Sequence, residues 1–340
     1  MRLAGENVSD KPLVGAIGCG GTISSLGASS TDVLDYPDFG RKMPIEEVIG
    51  RHAEVGAVAQ LLPVPFRSVG STAIGPAEWL ELAATIHRVV AERPSLKGFV
   101  VPHGTATLEE TAYFLHLVLK TDKTVVLVGA QRPASALSSD AGMNLLGAVR
   151  VAIDPAASGL GVLVALNDEI QSAREATKTS TYRLQTFRSP DFGALGHIDG
   201  DGIRIYRRPA RRHAPDTEFD VSDLQKLPRV DIAYSYAGVD GTIVDALVGA
   251  GARGIVSAGM APGIPAPVER QALERAAKAG VLVVQSTRAG SGRVARRRYL
   301  REAGMIGADN LNPQKARILL TLALTRTTNA DEIQRMFDTY

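Results

Sequence analysis

The chain has 340 residues, 45% of them hydrophobic and 22% charged, which is enough for two domains with a core each. A net charge of +2 is too slight to point to nucleic acid, and no segment approaches the roughly 18 consecutive apolar residues of a membrane span. One cysteine permits no internal disulfide, and six scattered histidines in no metal-ligand spacing give no reason to expect a metal.

Met1 to Pro12 is polar and lacks an apolar run, so no secretory signal is expected and a cytoplasmic location is. Val14 to Gly18 reads as a first strand, followed by Cys19-Gly20-Gly21-Thr22-Ile23. A dinucleotide fingerprint would need a third glycine where Ile23 stands, so no cofactor is expected. From the residues alone, Cys19 reads as an inert, buried small side chain. Residues 26 to 42 are rich in Ser, Gly and Asp and form a long loop that can serve as a lid, with Tyr36 within it and a helix from about Pro44 to Arg51 after it. An extended segment from Gln60 to Val69 leads into the turn Gly70-Ser71-Thr72 and a helix from Pro76 to Glu92.

Gly98 to Val101 is a buried strand that runs into a helix carrying Ala112, Leu115 and Leu119, so the apolar period changes between them. Thr107, with Glu110 three residues on, has the spacing of a capping box. Thr105 has no such structural reason to be there, and it lies at the carboxyl end of a strand, where open α/β sheets place ligands. Strands at Thr124 to Gly129 and Leu160 to Asn167 follow, with a helix bearing Asp140 and Asn144 between them. The polar, proline-punctuated stretch 207–228 reads as a linker between a domain at 1–206 and one at 229–340. In the latter, strands at 230–236, 254–258 and 281–286 alternate with helices at 242–250, 267–279, 313–325 and 330–337, a second parallel sheet.

Gly-Gly-Thr-Ile at 20–23, His-Gly-Thr-Ala-Thr-Leu-Glu-Glu-Thr-Ala-Tyr at 103–113, Asn-Asp at 167–168 with Thr-Lys-Thr at 177–179, and Leu-Asn-Pro-Gln-Lys-Ala-Arg at 311–317 stand in the order of one known family. They resemble the bacterial-type asparaginase/glutaminase enzymes over almost the whole chain. The resemblance implies a two-domain α/β fold, with a larger N-terminal and a smaller C-terminal parallel-sheet domain. It also implies a homotetramer of close dimers, each site completed by a neighbour, and hydrolysis of a small-molecule amide through an acyl-enzyme. By the same resemblance Cys19 stands at the nucleophile position, Lys178 at that of the catalytic lysine with Thr105 beside it, and Tyr36 at that of a lid tyrosine. Ser71, in the turn with Gly70 and Thr72, would hold the substrate's α-carboxylate.

Three positions depart from the family pattern. Ala106 replaces an Asp that holds the substrate's α-amine, Pro262 stands where the second domain has an Asn, and an arginine-rich stretch from Arg293 to Arg301 replaces the loop that supplies a Glu. An ammonium beside arginines and without a carboxylate is poorly compensated, so the expected substrate is a small carboxamide without a free α-amine. An atypical L-asparaginase and a non-catalytic small-molecule binding homologue are the alternatives. A racemase is disfavoured, because one thiol cannot serve two faces of a substrate.

Overall fold

The computed structural model describes residues 11–340, so most of the stretch read for a leader, Met1 to Asp10, lies outside the described residues. The chain divides into two compact units, residues 1–210 and 211–340.

Eight strands build the sheet of the first unit: β1 (Leu13–Ile17), β2 (Gln60–Val64), β3 (Gly98–Pro102), β4 (Thr124–Val128), β5 (Val162–Leu166), β6 (Glu169–Ser172), β7 (Gly196–Asp199) and β8 (Gly202–Ile205). Their order is β8-β7-β6-β5-β4-β3-β1-β2. The five strands from β1 to β5 are parallel, while β6, β7 and β8 pair antiparallel, so the sheet is mixed. The period-2 rule assigns its two faces. Val14, Ala16, Val100, Val126, Val128, Leu163 and Ala165 share a cluster with the apolar side of the helix Ala141–Ile153. Phe99, Val101, Val125 and Leu127, which alternate with them, are equally buried. Covering on both faces explains why these strands read as unbroken apolar runs. The helix Leu108–Val118 is buried nearly all round, and its Phe114 stacks on Trp79 of the helix Pro76–Glu92 at 5.4 Å.

The sequence reading gives no strands at 169–172 or 196–205. These strands have only four residues each, and β6 follows β5 through Asn167 and Asp168, both at positive φ (50° and 63°), as a two-residue hairpin turn demands.

In the second unit β9 (Val230–Tyr234), β10 (Gly254–Gly259), β11 (Leu282–Thr287) and β12 (Ile306–Gly307) form a parallel sheet in that order. Val244, Leu273 and Ala276 of the helices Thr242–Gly249 and Pro267–Lys278 pack with Ile255 and Val283 of the sheet. Residues 211–228 of the expected linker belong to this unit. Phe219 is fully buried against Tyr340 at 5.0 Å, and Glu218 pairs with Arg335 at 2.8 Å. Among the described residues no helix is long and apolar enough to cross a membrane.

Candidate active site

Two glycines bring the ends of β1 and β3 together. Gly20 and Gly21 follow β1 with φ of 82° and 81°, the left-handed region that costs a side chain most. A Cβ on Gly21 would lie 2.1 Å from Gly104 Cα, so backbone touches backbone and no larger residue fits. Gly21 N–H donates to Val69 O at 2.9 Å, which adds the segment after β2. Gly104 is the next surface in the stack, since a Cβ there would lie 2.7 Å from Ser71 Oγ. Thr22, Ser71 and Thr105 thus follow three neighbouring strands at the carboxyl edge of the sheet, the place where such sheets bind ligands.

A fully buried relay holds the Gly104 carbonyl. Trp79 Nε1–H donates to Thr111 Oγ1 at 2.9 Å, so the Thr111 hydroxyl turns its proton to His103 Nε2 at 3.0 Å. The ring's Nδ1–H then donates to Gly104 O at 2.8 Å. Burial lowers the pKa of His103 to about 4, which leaves the neutral tautomer this relay requires.

Two hydroxyls here have hydrogen-bonded partners. Lys178 Nζ donates to Thr105 Oγ1 at 2.8 Å, and burial holds the lysine below its ordinary pKa, with the nearby Glu109 charge acting the other way. Glu109 Oε1 accepts the Lys178 backbone N–H at 3.3 Å, which ties the lysine's strand to the helix start beside Thr105. In the second pair, Thr22 Oγ1 and Tyr36 OH lie 3.0 Å apart. Burial raises the Tyr36 phenol's pKa, so it stays neutral, and either hydroxyl of the pair can donate the hydrogen bond. Tyr36 reaches Thr22 from the lid loop, which is fastened at Gly27 N–H to Ser135 Oγ and at Leu137 N–H to Ser30 O, both 2.8 Å.

The structure bears on two further expectations. Cys19 is fully buried, its N–H bound to Pro102 O at 2.8 Å, and burial, with a lesser push from Glu81, drives its thiol's pKa well above the ordinary range. Burial and a raised pKa both work against a thiolate there, and these surroundings favour the inert reading of Cys19. Thr107 makes no capping bond; its Oγ1 donates to Ser71 O at 2.7 Å and ties the serine turn to the Thr105 turn. The sequence reading missed Thr22. Its signal was present in Gly-Gly-Thr, a hydroxyl directly after two glycines, but only the fold shows that it is half-exposed while Cys19, three residues earlier, is sealed.

The remaining expected site residues are placed as follows. Ser71 is buried in a short turn of helix Ser71–Ala73, Gly70 is half-buried and Thr72 is exposed. Ala106 is exposed and presents only a methyl. In the second unit, Pro262 follows a cis peptide in the turn between Met260 and Ile264. Most of the arginine-rich stretch is occupied, because Arg293, Arg296 and Arg298 pair with Asp309, Asp331 and Glu302. Arg297 bonds Gly263 O at 2.9 Å and Tyr299 OH at 3.3 Å. Among the described residues no cluster of three metal-ligating side chains occurs.

Comparison with known proteins finds relatives over almost the whole chain. The family model described as "Asparaginase, N-terminal" matches residues 13–211, and "Glutaminase/Asparaginase C-terminal domain" matches 229–337. A protein named "Probable L-asparaginase periplasmic" from Haemophilus influenzae is 41% identical, covering 98% of this chain and 95% of its own. A "Glutaminase-asparaginase" from Pseudomonas fluorescens is 40% identical over 94% of this chain and 88% of its own. The crystal structure of a "Probable Cytoplasmic L-asparaginase" from Campylobacter jejuni superposes with a TM-score of 0.93 at 39% identity, covering 97% of this chain and 100% of that one. With both halves matched and the strand-end hydroxyls in place, the chain belongs to the asparaginase family.

Proposed function

We propose that this chain hydrolyses the carboxamide of a small molecule through an ester on Thr22. The observation that carries the reading is the pairing of two threonine hydroxyls with proton-handling partners, Thr22 with Tyr36 and Thr105 with Lys178, at 3.0 and 2.8 Å. Thr22 is the better nucleophile of the two because it is half-exposed, whereas Thr105 is 6% exposed and its oxygen already accepts from Lys178. In the first step Thr22 Oγ1 attacks the amide carbon while its proton passes to a neighbouring base, and the carbonyl π pair moves onto oxygen. Collapse breaks the C–N bond, and the nitrogen takes a proton and departs as ammonia. Water then attacks the ester, and the carboxylic acid leaves as Thr22 regains its proton. Lys178, shifted by burial towards the range of a general base, moves the proton through Thr105.

The relatives carry the names L-asparaginase and glutaminase-asparaginase, which supports asparagine and glutamine as substrates to test. Ala106 favours a second reading, in which the preferred amide has no α-amine. Ala106 presents a methyl where the resemblance expects a carboxylate, and the carboxylates of Asp32, Asp140 and Glu109 already accept backbone N–H groups. An ammonium placed there would meet a methyl instead of a carboxylate. We further propose a homotetramer in the cytoplasm, on the sequence reading alone; sedimentation at micromolar concentration as a monomer would contradict the assembly.

The decisive experiment measures ammonia release from asparagine, glutamine and succinamate, then quenches the reaction in acid and maps the acyl group. Ester on the peptide containing Thr22 is expected. Acyl on the peptide containing Thr105 would move the nucleophile there, and absence of turnover on any carboxamide would leave a binding protein.

A further inference from the structure

Asp32 has no part in the chemistry above, yet its carboxylate organises the lid. Oδ2 accepts the Ala28 N–H at 3.0 Å, while Oδ1 accepts those of Asp35 at 3.0 Å and Tyr36 at 3.2 Å, with Leu34 N–H at 3.4 Å beside them. Both ends of the segment 28–36 are thereby gathered onto one side chain. Room for it is left by Gly27, where a Cβ would lie 2.6 Å from Oδ2. The bonded N–H groups, Ala28 foremost, hold the carboxyl below its ordinary pKa, so the anion is the form that does the gathering.

A short path joins this clamp to the reacting hydroxyls. Tyr36, whose N–H the carboxylate holds, opens the four-residue helix Tyr36–Phe39 and accepts Gly40 N–H on its carbonyl at 2.9 Å. Its phenol then reaches Thr22. The lid's fastenings at Gly27 and Ser30 hold the loop to the body but do not bond residues 32–36.

We propose that Asp32 is a positioning residue that acts through Tyr36, its carboxylate fixing the backbone at 34–36 so that the phenol stays within reach of the Thr22 hydroxyl. This inference rests on the reading that Tyr36 belongs to the reacting group, and the test separates the two.

The experiment is a double-mutant cycle on the full chain with Asp32→Ala, Asp32→Asn and Tyr36→Phe, measuring kcat and KM by ammonia release together with Tm. Removing the phenol lowers kcat by about 10²-fold, the lower end for a proton-transferring group. Asp32→Ala lowers it by about tenfold with KM little changed, as expected when a reacting group is misplaced by less than an ångström. The double variant is no slower than Tyr36→Phe alone, and Tm is the same in all. Asp32→Asn recovers most of the loss, because its Oδ1 keeps the bonds to Asp35 and Tyr36 N–H. Multiplied losses in the double variant, or a normal kcat in Asp32→Ala beside an impaired Tyr36→Phe, would overturn the positioning role. A normal kcat in Tyr36→Phe would instead sink the reading of Tyr36, and Asp32 with it.

Discussion

Replacing Gly21 by alanine tests the close approach that aligns the two reacting threonines. Two costs can be separated. A side chain at φ 81° and ψ −169° stands in a region essentially reserved for glycine, a strain of about 1–3 kcal/mol. In addition, its Cβ would lie 2.1 Å from Gly104 Cα and 2.3 Å from Gly104 N, more than an ångström inside van der Waals contact at about 3.5 Å. Both neighbours are backbone, so no rotamer change can relieve them, and the overpacking adds about 1–3 kcal/mol. Gly159 supplies the control: its φ is 69°, but a Cβ there meets nothing within 4 Å. Gly159→Ala should therefore show the left-handed penalty alone. Urea unfolding should place Gly21→Ala at least about 1 kcal/mol below Gly159→Ala, since the clash and the stricter backbone conformation of Gly21 both count against it. If the loops relax by separating, Thr22 and Thr105 part by about an ångström, a displacement that costs about 10²-fold in rate. Ammonia release per folded molecule should fall by that order in Gly21→Ala and stay normal in Gly159→Ala. Equal stability of the two variants, or a normal kcat in Gly21→Ala, would refute the argument that this glycine contact sets the geometry of the site.

Cys19→Ala should keep wild-type kcat at a stability cost of about 1 kcal/mol for a small deletion in a packed core, and iodoacetamide should leave the native protein active; inactivation would restore the thiol to the mechanism. Lys178→Met should nearly abolish turnover while raising stability at neutral pH. Since burial lowers the lysine's folded pKa below its unfolded value, its charged form penalises folding below the folded pKa, and the penalty vanishes as pH rises past the ordinary lysine value; the Tm advantage of Lys178→Met should shrink over that range, and a gap that widens with pH would reverse the sign. Ala106→Asp should raise kcat/KM for asparagine relative to succinamate, because it supplies the carboxylate an ammonium lacks, and an unchanged ratio measured by ammonia release would remove Ala106 from specificity.

The local signals were sufficient for much of this protein. Apolar runs such as Phe99 to Val101 and Val125 to Val128 read as buried strands, which they are, and the switch to helical spacing after Thr107 marked a strand-to-helix turn at the sheet's carboxyl edge. Position at a strand end picked out Thr105 and the family resemblance picked out Lys178, and the fold brings the two to 2.8 Å although they are 73 residues apart. Tertiary structure alone decided which of Cys19 and Thr22 faces the site. Both stand in one short glycine turn, and the family resemblance put the nucleophile at Cys19, whereas the residues alone read it as inert. Burial separates them: Cys19 is sealed from water, whereas Thr22, beyond two glycines at positive φ, emerges next to a phenol. The same holds for Thr107 and Asp32: each can bond nearby N–H groups by its local sequence, and only the packed chain determines that Thr107 reaches Ser71 while Asp32 gathers the lid. A hydrogen bond goes to the donor or acceptor that folding places nearest and driest, and sequence spacing does not specify that distance.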